Sequence, residues 1–464
     1  MPANFIYFEH ILDHDVEIFR NLGAVLKNRL IINIKTHKTM NKNKINWVAV
    51  LTMMFLFGMI SFVTNLAAPI GNIWKIQPGI DGSSFWGMMG NMMNFLAYLF
   101  MGIPAGKLIT RLGYKKTTLI GVGIGFFGVL FQFLSGKIGV GATLLGLPAN
   151  FFVYLFGAFV CGFSVCILNT VVNPMLTLLG GGGNKGNQLV QIGGTFNSLM
   201  GTLTPMLVGA LIGQITKDTA ISDVNTVLYM AMGVFAATFA VLIFVPFVEP
   251  EQEKSDASVK SLLKYSNLVF GVIAIFLYVG VEVGIPGTLN FYLTDTLGTA
   301  NAATTAGFVA GTYWFLMLCG RFISSLISGK VSSKVQLSVT CAVAIVLVIC
   351  AMFTTNVQAS MPVFTGSGFG MAQVPLTAVL LVCCGLCTSV MWGTIFNLSV
   401  EGLGKHSALA SGLFMTMVVG GGVLPLIQNA IADATSYMTS YWVIVAALVY
   451  MLWFALFGSK VKKA

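Results

Sequence analysis

Of the fifteen acidic residues in this 464-residue chain, one lies well inside an apolar run: Glu282, in "FLYVGVEVGIPG" (276–287). A carboxylate at the centre of a membrane helix costs about 2.5–3.5 kcal/mol to insert, so it normally faces a cavity and has a task, such as holding a proton or a cation. Gly280, Gly284, Pro286 and Gly287 crowd around it. Proline removes a backbone donor, so the helix is expected to break near 282 and free carbonyls beside the acid. The other polar groups in apolar runs are amides: Asn65, Asn91, Asn94, Asn169, Asn173, Gln191, Asn197, Asn290 and Asn397. An amide both donates and accepts, which suits neutral hydroxyl groups. Tyr313, Trp314, Phe95 and Trp392 can add an aromatic face. Competing with these roles are interhelical bonding for each amide, at about 0.6 kcal/mol, and core or interfacial packing for each tryptophan.

The elements that would position these groups are membrane helices. The chain is 56% hydrophobic and 9% charged, where soluble domains carry about 25% charge. About twelve continuous apolar runs lie between residues 46 and 458. Each is long enough to cross the ~30 Å hydrocarbon core as a helix, and none alternates with the period of two that barrel strands require. The expected fold is an all-α integral membrane protein of twelve helices in two six-helix, pseudo-symmetric halves. The eight cysteines all fall inside apolar runs and read as small hydrophobes rather than as a disulfide framework or metal site. All four histidines, at 10, 14, 37 and 406, lie outside the midplane, and there is no nucleophile elbow, so neither an enzyme nor a cofactor is expected.

The net charge of +10 is distributed unevenly. With the N-terminus inside, the even-numbered loops and both tails hold nearly all the lysine and arginine. The other side has only Lys75, Lys137 and Lys217. This is the positive-inside bias of a cytoplasmic-membrane protein with both termini cytoplasmic, and it gives no support to nucleic-acid binding. Residues 1–45 read as an N-terminal extension in which no apolar core suggests a signal peptide. Met40, followed by "NKNK", has the form of a translation start, so translation is expected to begin there; the alternative reading of the upstream part is a cytosolic surface helix. The charged stretch "VEPEQEKSDASVK" (248–260) separates a first half, 46–248, from a second, 266–464, across a cytosolic linker at 249–265.

The halves echo each other. Thr170, Asn173, Leu179 and Gly180 match Thr394, Asn397, Leu403 and Gly404 at one spacing, and Gly201 and Pro205 match Gly421 and Pro425. Such repeats mark secondary transporters, with a site near the midplane between the halves. "GKLITRLGYKK" (106–116) closely resembles the basic loop between the second and third helices of the major facilitator superfamily. There Arg111, Lys115 and Lys116 are expected to meet helix-end carbonyls and latch one side of the protein.

Further motifs resemble the fucose/glucose–galactose permease family of that superfamily: "NPMLTLLG", "GGTFNSLMGTLTP", "YVGVEVG", "MWGTIFNLSVEGLGKHSALASG" and "VVGGGVLP". The resemblance covers nearly everything from 46 to 458. It implies sugar uptake across a bacterial inner membrane, commonly driven by proton symport and sometimes by sodium. Three matched positions depart from the fucose permeases. Ala68 stands for an aspartate, Asn169 for a glutamate, and Gly194 for a glutamine. The last change suggests a roomier pocket, suited to a bulkier hexose or an N-acetylhexosamine. Thr110 also replaces the usual acid before Arg111.

The resulting expectation is a monomeric carrier of a neutral monosaccharide, held in the bilayer. Asn65, Asn94, Asn169, Asn173, Gln191, Asn197, Trp314, Trp392 and Asn397 would contact the sugar. Glu282 would couple transport to H+ or Na+. With Lys107 and Arg321 placed near cytosolic helix ends, no cation is expected at midplane, which disfavours anionic sugars. The alternatives are an uncoupled facilitator or a sugar sensor that does not transport.

Overall fold

A computed structural model describes residues 46–179, 183–212, 215–216, 219–245, 262, 264–327, 331–364, 368–403 and 407–460. The expected start at Met40 and nearly all of the linker at 249–265 lie outside the described residues.

Long apolar runs have no water with which to satisfy backbone N–H and C=O groups, so they fold as helices that bond internally. Helix α1 (Trp47–Asn65) and α2 (Ala67–Lys75) form one crossing whose hydrogen-bond ladder is interrupted at Leu66, where φ of −69° and ψ of −28° remain helical. Pro69 cannot donate to the carbonyl of Asn65, which removes one ladder bond there. Helix α3 (Ser84–Leu134) runs for 51 residues, or about 77 Å at 1.5 Å per residue, far more than one bilayer crossing. It is divided at Gly113, whose φ of +79° is non-helical; a side chain there would be strained. The crossings continue with α4 (Ala149–Leu179), reached through the short strands β1 (Thr143–Leu144) and β2 (Leu147–Pro148), then α5 (Gly183–Ile212) and α6 (Asn225–Phe244).

The second set begins with α7 (Ser266–Thr296), α8 (Ala302–Ile327) and α9 (Ser333–Met352). An antiparallel hairpin, β3 (Gln358–Phe364) with β4 (Phe369–Pro375), leads into α10 (Leu376–Thr388) and α11 (Met391–Val400), which share one crossing. Helices α12 (Ser407–Met417) and α13 (Gly420–Ala434) follow. The chain then passes through α14 (Tyr437–Ser440) to α15 (Trp442–Trp453). Eleven helical stretches among the described residues are long and apolar enough to span a membrane. With α3 counted as two across Gly113, the protein has twelve crossings, six on each side of the linker.

Helix α7 differs from the expectation. It stays helical from Ser266 to Thr296 with Pro286 inside it. Proline removes one ladder bond and crowds one carbonyl, which a helix packed on several sides can absorb by bending.

The repeat has a packing counterpart. A Cβ on Gly201 of α5 would meet the ring of Trp314 from α8, and one on Gly421 of α13 would meet the ring of Phe95 from α3. Each set therefore offers a glycine face to an aromatic from the other set. Pro425 leaves the carbonyl of Gly421 without its helical donor, and Asn91 Nδ2 of α3 supplies one at 2.8 Å. The aligned Gly–Pro pairs thus mark two equivalent places where the sets lock together.

Candidate functional site

A cleft lies where the two sets meet. Thr64, Asn65, Ala68, Pro69, Met88, Asn91 and Pro205 line it from the first set, and Val283, Pro286, Gly287, Asn290, Ala310 and Trp314 from the second. Its cavity volume is about 30 Å³, room for about two waters and far below the size of an open small-molecule site, so the lining is closed together in this structure. Three amides, a threonine and a tryptophan supply its chemistry, and the lining holds no charged side chain. Ladder interruptions and prolines position these groups. Asn65 ends α1, where its Nδ2 donates to the backbone oxygen and hydroxyl of Ser61 at 2.9 and 3.1 Å. Asn290 Oδ1 accepts from Asn72 Nδ2 at 2.6 Å, across the two sets. Ala68, at the place of the fucose permeases' aspartate, is part of this lining.

Asn65 and Trp314 are thus brought together in the cleft, and the other expected contacts lie outside its lining. Asn169 Nδ2 donates to Tyr98 Oη at 2.7 Å, and Asn173 Nδ2 to the Asn169 carbonyl at 3.2 Å. Asn197 Nδ2 donates to the Phe57 carbonyl at 3.0 Å, tying α5 to α1. Asn94 is buried in α3. Trp392 meets the Tyr278 ring edge-on at 6.1 Å, and Asn397 is exposed. The side chain of Gln191 lies outside the described residues. Asn91 and Asn290 were legible as amides in apolar runs. Only helix rotation puts them in the lining.

Glu282 has partners that were not expected. Its Oε1 accepts from Tyr278 Oη at 2.9 Å and lies 3.7 Å from Arg321 Nη2. Both charged side chains are mostly buried. Arg321 also crosses to the first set, where its Nη1 donates to the Gly194 carbonyl and to Ser198 Oγ, both at 2.8 Å. Arg321 keeps its expected place towards a helix end, and what the sequence did not show is that its guanidinium reaches the acid. Helix rise places Glu282 roughly 21 Å from the Thr296 end of α7 and Arg321 roughly 28 Å from the Ala302 end of α8. An extended arginine reaches across that offset. The space left by glycine at 194 also has an occupant: a Cβ there would lie 3.4 Å from Arg321 Nη1. The guanidinium takes room that the sequence reading assigned to a larger sugar.

At the end of the bundle where α2 stops and α3 starts, a clasp joins the two sets. Buried Lys75 places Nζ 2.6 Å from Asp295 Oδ2 and 2.8 Å from Tyr437 Oη. Tyr437 Oη donates to Asp295 at 2.5 Å and shares a 2.7 Å hydrogen bond with Ser84 Oγ. Asp433 accepts from the backbone N–H groups of Ser84 and Phe85 at 2.8 and 2.9 Å. A carboxylate from the second set thus caps the N-terminus of α3, where the helix dipole favours negative charge. Of the three expected latch cations, Lys115 donates to the Ile243 and Val245 carbonyls at 2.9 Å each, at the end of α6 within its own set. Arg111 and Lys116 are exposed.

Residues 48–424 match the model of the Major Facilitator Superfamily. A glucose/galactose transporter of Brucella abortus is 28% identical, with 88% of this chain and 92% of that protein aligned. A putative glucose/galactose transporter of Helicobacter pylori is 30% identical over 88% of this chain and 95% of its own length. Among solved structures, the Escherichia coli fucose:proton symporter superposes with a TM-score of 0.61 at 18% identity, covering 89% of this chain and 100% of that one. A D-xylose-proton symporter gives 0.62 at 14% identity, covering 90% and 100%. An uncharged cleft between two six-helix sets, and a match running through both of them, lead to one assignment: the chain is a multi-pass membrane protein of the Major Facilitator Superfamily, in its sugar-permease branch.

Proposed function

We propose that the protein imports a neutral monosaccharide across a bacterial inner membrane by alternating access, as a monomer with both termini cytoplasmic. The observation that carries this reading is the cleft itself, whose lining among the described residues offers amides and a tryptophan but no charged side chain. Amides pair with sugar hydroxyls, and the indole can cover an apolar face of a ring. The printed names of the Brucella and Helicobacter relatives favour glucose or galactose; an N-acetylhexosamine is the second candidate. The lysine and arginine bias puts the clasp on the outer side, so the structure is shut towards the outside. Opening that side breaks the Lys75–Asp295 pair, while Arg111, Lys115 and Lys116 serve the cytosolic gate. Asn94, Asn169, Asn173, Gln191, Asn197, Trp392 and Asn397 remain assigned to sugar contact in the state open to the outside.

Glu282 is the proposed coupling group for H+ or Na+. When it binds a cation, Arg321 loses its counter-charge and redistributes towards Gly194 and Ser198 of the first set. The ion state then biases how the sets pack. A specific observation favours a second reading, uncoupled facilitation: Arg321 already neutralises Glu282.

Uptake of radiolabelled glucose, galactose, fucose and N-acetylglucosamine into proteoliposomes, with and without proton or sodium gradients, separates the readings. Gradient-driven accumulation of one sugar, lost in Glu282→Gln while downhill exchange persists, is the expected result. Equilibration without accumulation supports the facilitator, and binding without turnover rejects transport.

A further inference from the structure

The hairpin β3–β4 stands at the clasp end of the bundle, between α9 and α10. From Ala351 to Pro375 the chain has no Asp, Glu, Lys, Arg or His, which is unusual for a loop that must live in water. The register pairs Pro362 with Met371, Phe364 with Phe369, and Ser360 with Gln373. One face of the ribbon is turned to the protein, burying Met361, Val363 and Val374. The other face is graded along its length. Its base is polar, where Gln373 Nε2 donates to Ser360 Oγ at 2.7 Å. Towards its far end it is apolar, with Phe369 82% and Met371 64% exposed.

The position of this apolar end selects its occupant. Phe369 meets Phe308 of α8 edge-on, with centroids 5.8 Å apart. Phe308 lies six residues inside the span Ala302–Ser324, about 9 Å along the helix axis. Phe308, Phe315 and Phe322 share one helix face at seven-residue spacing, and Phe315 and Phe322 are 48% and 65% exposed. On a membrane-spanning helix that exposure is to lipid. Phe369 therefore continues the lipid-facing stripe of α8 upward.

We propose that the hairpin lies on the bilayer with Phe369 and Met371 seated among the acyl chains of the leaflet at the clasp end. A two-stranded ribbon has open edges that cannot be left unpaired in hydrocarbon. Its backbone thus stays at headgroup depth, with the polar base towards water and only side chains dipping inward, as in interfacial anchors. The hairpin then ties α8, which carries both Trp314 and Arg321, to the membrane surface.

The test is site-resolved thiol labelling in lipid vesicles, using Phe369→Cys, Met371→Cys and Asn356→Cys. A water-restricted maleimide is supplied on both sides, and modification is read at each introduced position by peptide mass. Positions 369 and 371 should react about tenfold or more slowly than position 356, because a thiol in an apolar layer forms little reactive thiolate. The protection should persist as the protein is diluted into lipid. Equal rates at all three positions would put the face in water and overturn the proposal. Protection that fades on dilution would make a second copy of the chain the occupant and also overturn it. Should one variant fail to fold, the other reads the same face.

Discussion

The two ion pairs, one with a half-exposed carboxylate and one mostly buried, are built for different work. In the clasp, Lys75 of the first set meets Asp295 of the second at 2.6 Å, and Tyr437 bonds to both. At Glu282 the charges are 3.7 Å apart and both belong to the second set, while the arginine's hydrogen bonds go to the first. Separating the sets at the clasp end must break the Lys75–Asp295 pair. Separating them at Arg321 breaks neutral hydrogen bonds and leaves the ion pair intact. The clasp is therefore a conformational lock, whereas the Glu282–Arg321 pair is not broken by separating the sets and is left to respond to the binding of a cation.

The largest effect that would expose this difference comes from Arg321→Ala. It removes the counter-charge of Glu282 and two bonds between the sets, and breaking one partner of a buried pair costs about 3–5 kcal/mol. Uptake should fall roughly a hundredfold or more, and Glu282→Gln in the same chain should recover part of it, measured as initial rates in proteoliposomes. No recovery would mean that Arg321 acts through its bonds to Gly194 and Ser198 alone.

Next comes Lys75→Met, expected to cut uptake about tenfold while raising labelling of cleft positions from the outer side. Asp295→Asn should have at least as large an effect, because it leaves the buried Lys75 ammonium without its counter-charge, and a double-mutant cycle should show coupling between the two. Additive losses would dissolve the clasp as a unit. A third change, Gly421→Ala, places a methyl against Phe95 and Val279 beside the bond from Asn91. Overpacking costs about 1–3 kcal/mol, so outer-side accessibility should rise as it does for Lys75→Met, with both ion pairs untouched. The smallest effect is expected of Asn65→Ala, between the two ion pairs. It removes one sugar hydrogen bond of about 1 kcal/mol, so KM should rise about fivefold with little change in maximal rate. An unchanged KM would take Asn65 out of the sugar site.

Much of this was legible from residue order. Run lengths set the number of crossings, and Gly113 in "GKLITRLGYKK" marked the turn inside an otherwise continuous helix. The match of Gly201 and Pro205 with Gly421 and Pro425 correctly pointed to equivalent sites in the two sets. Glu282 stood out because no other acid lies so deep in an apolar run.

Hydrophobic length and the absence of charge are local properties, so the sequence by itself determined the membrane class, the crossings, the repeat and the presence of one deep carboxylate. Which of nine amides face the cleft depends on rotation about helix axes, because neighbouring residues on a helix point about 100° apart. The partners of Glu282 and Lys75 depend on side chains 39 and 220 positions away in the chain. Only tertiary packing brings such residues within hydrogen-bonding or ion-pairing reach, so only the structure decided that Arg321 fills the space at Gly194 and that Lys75 closes one end of the bundle.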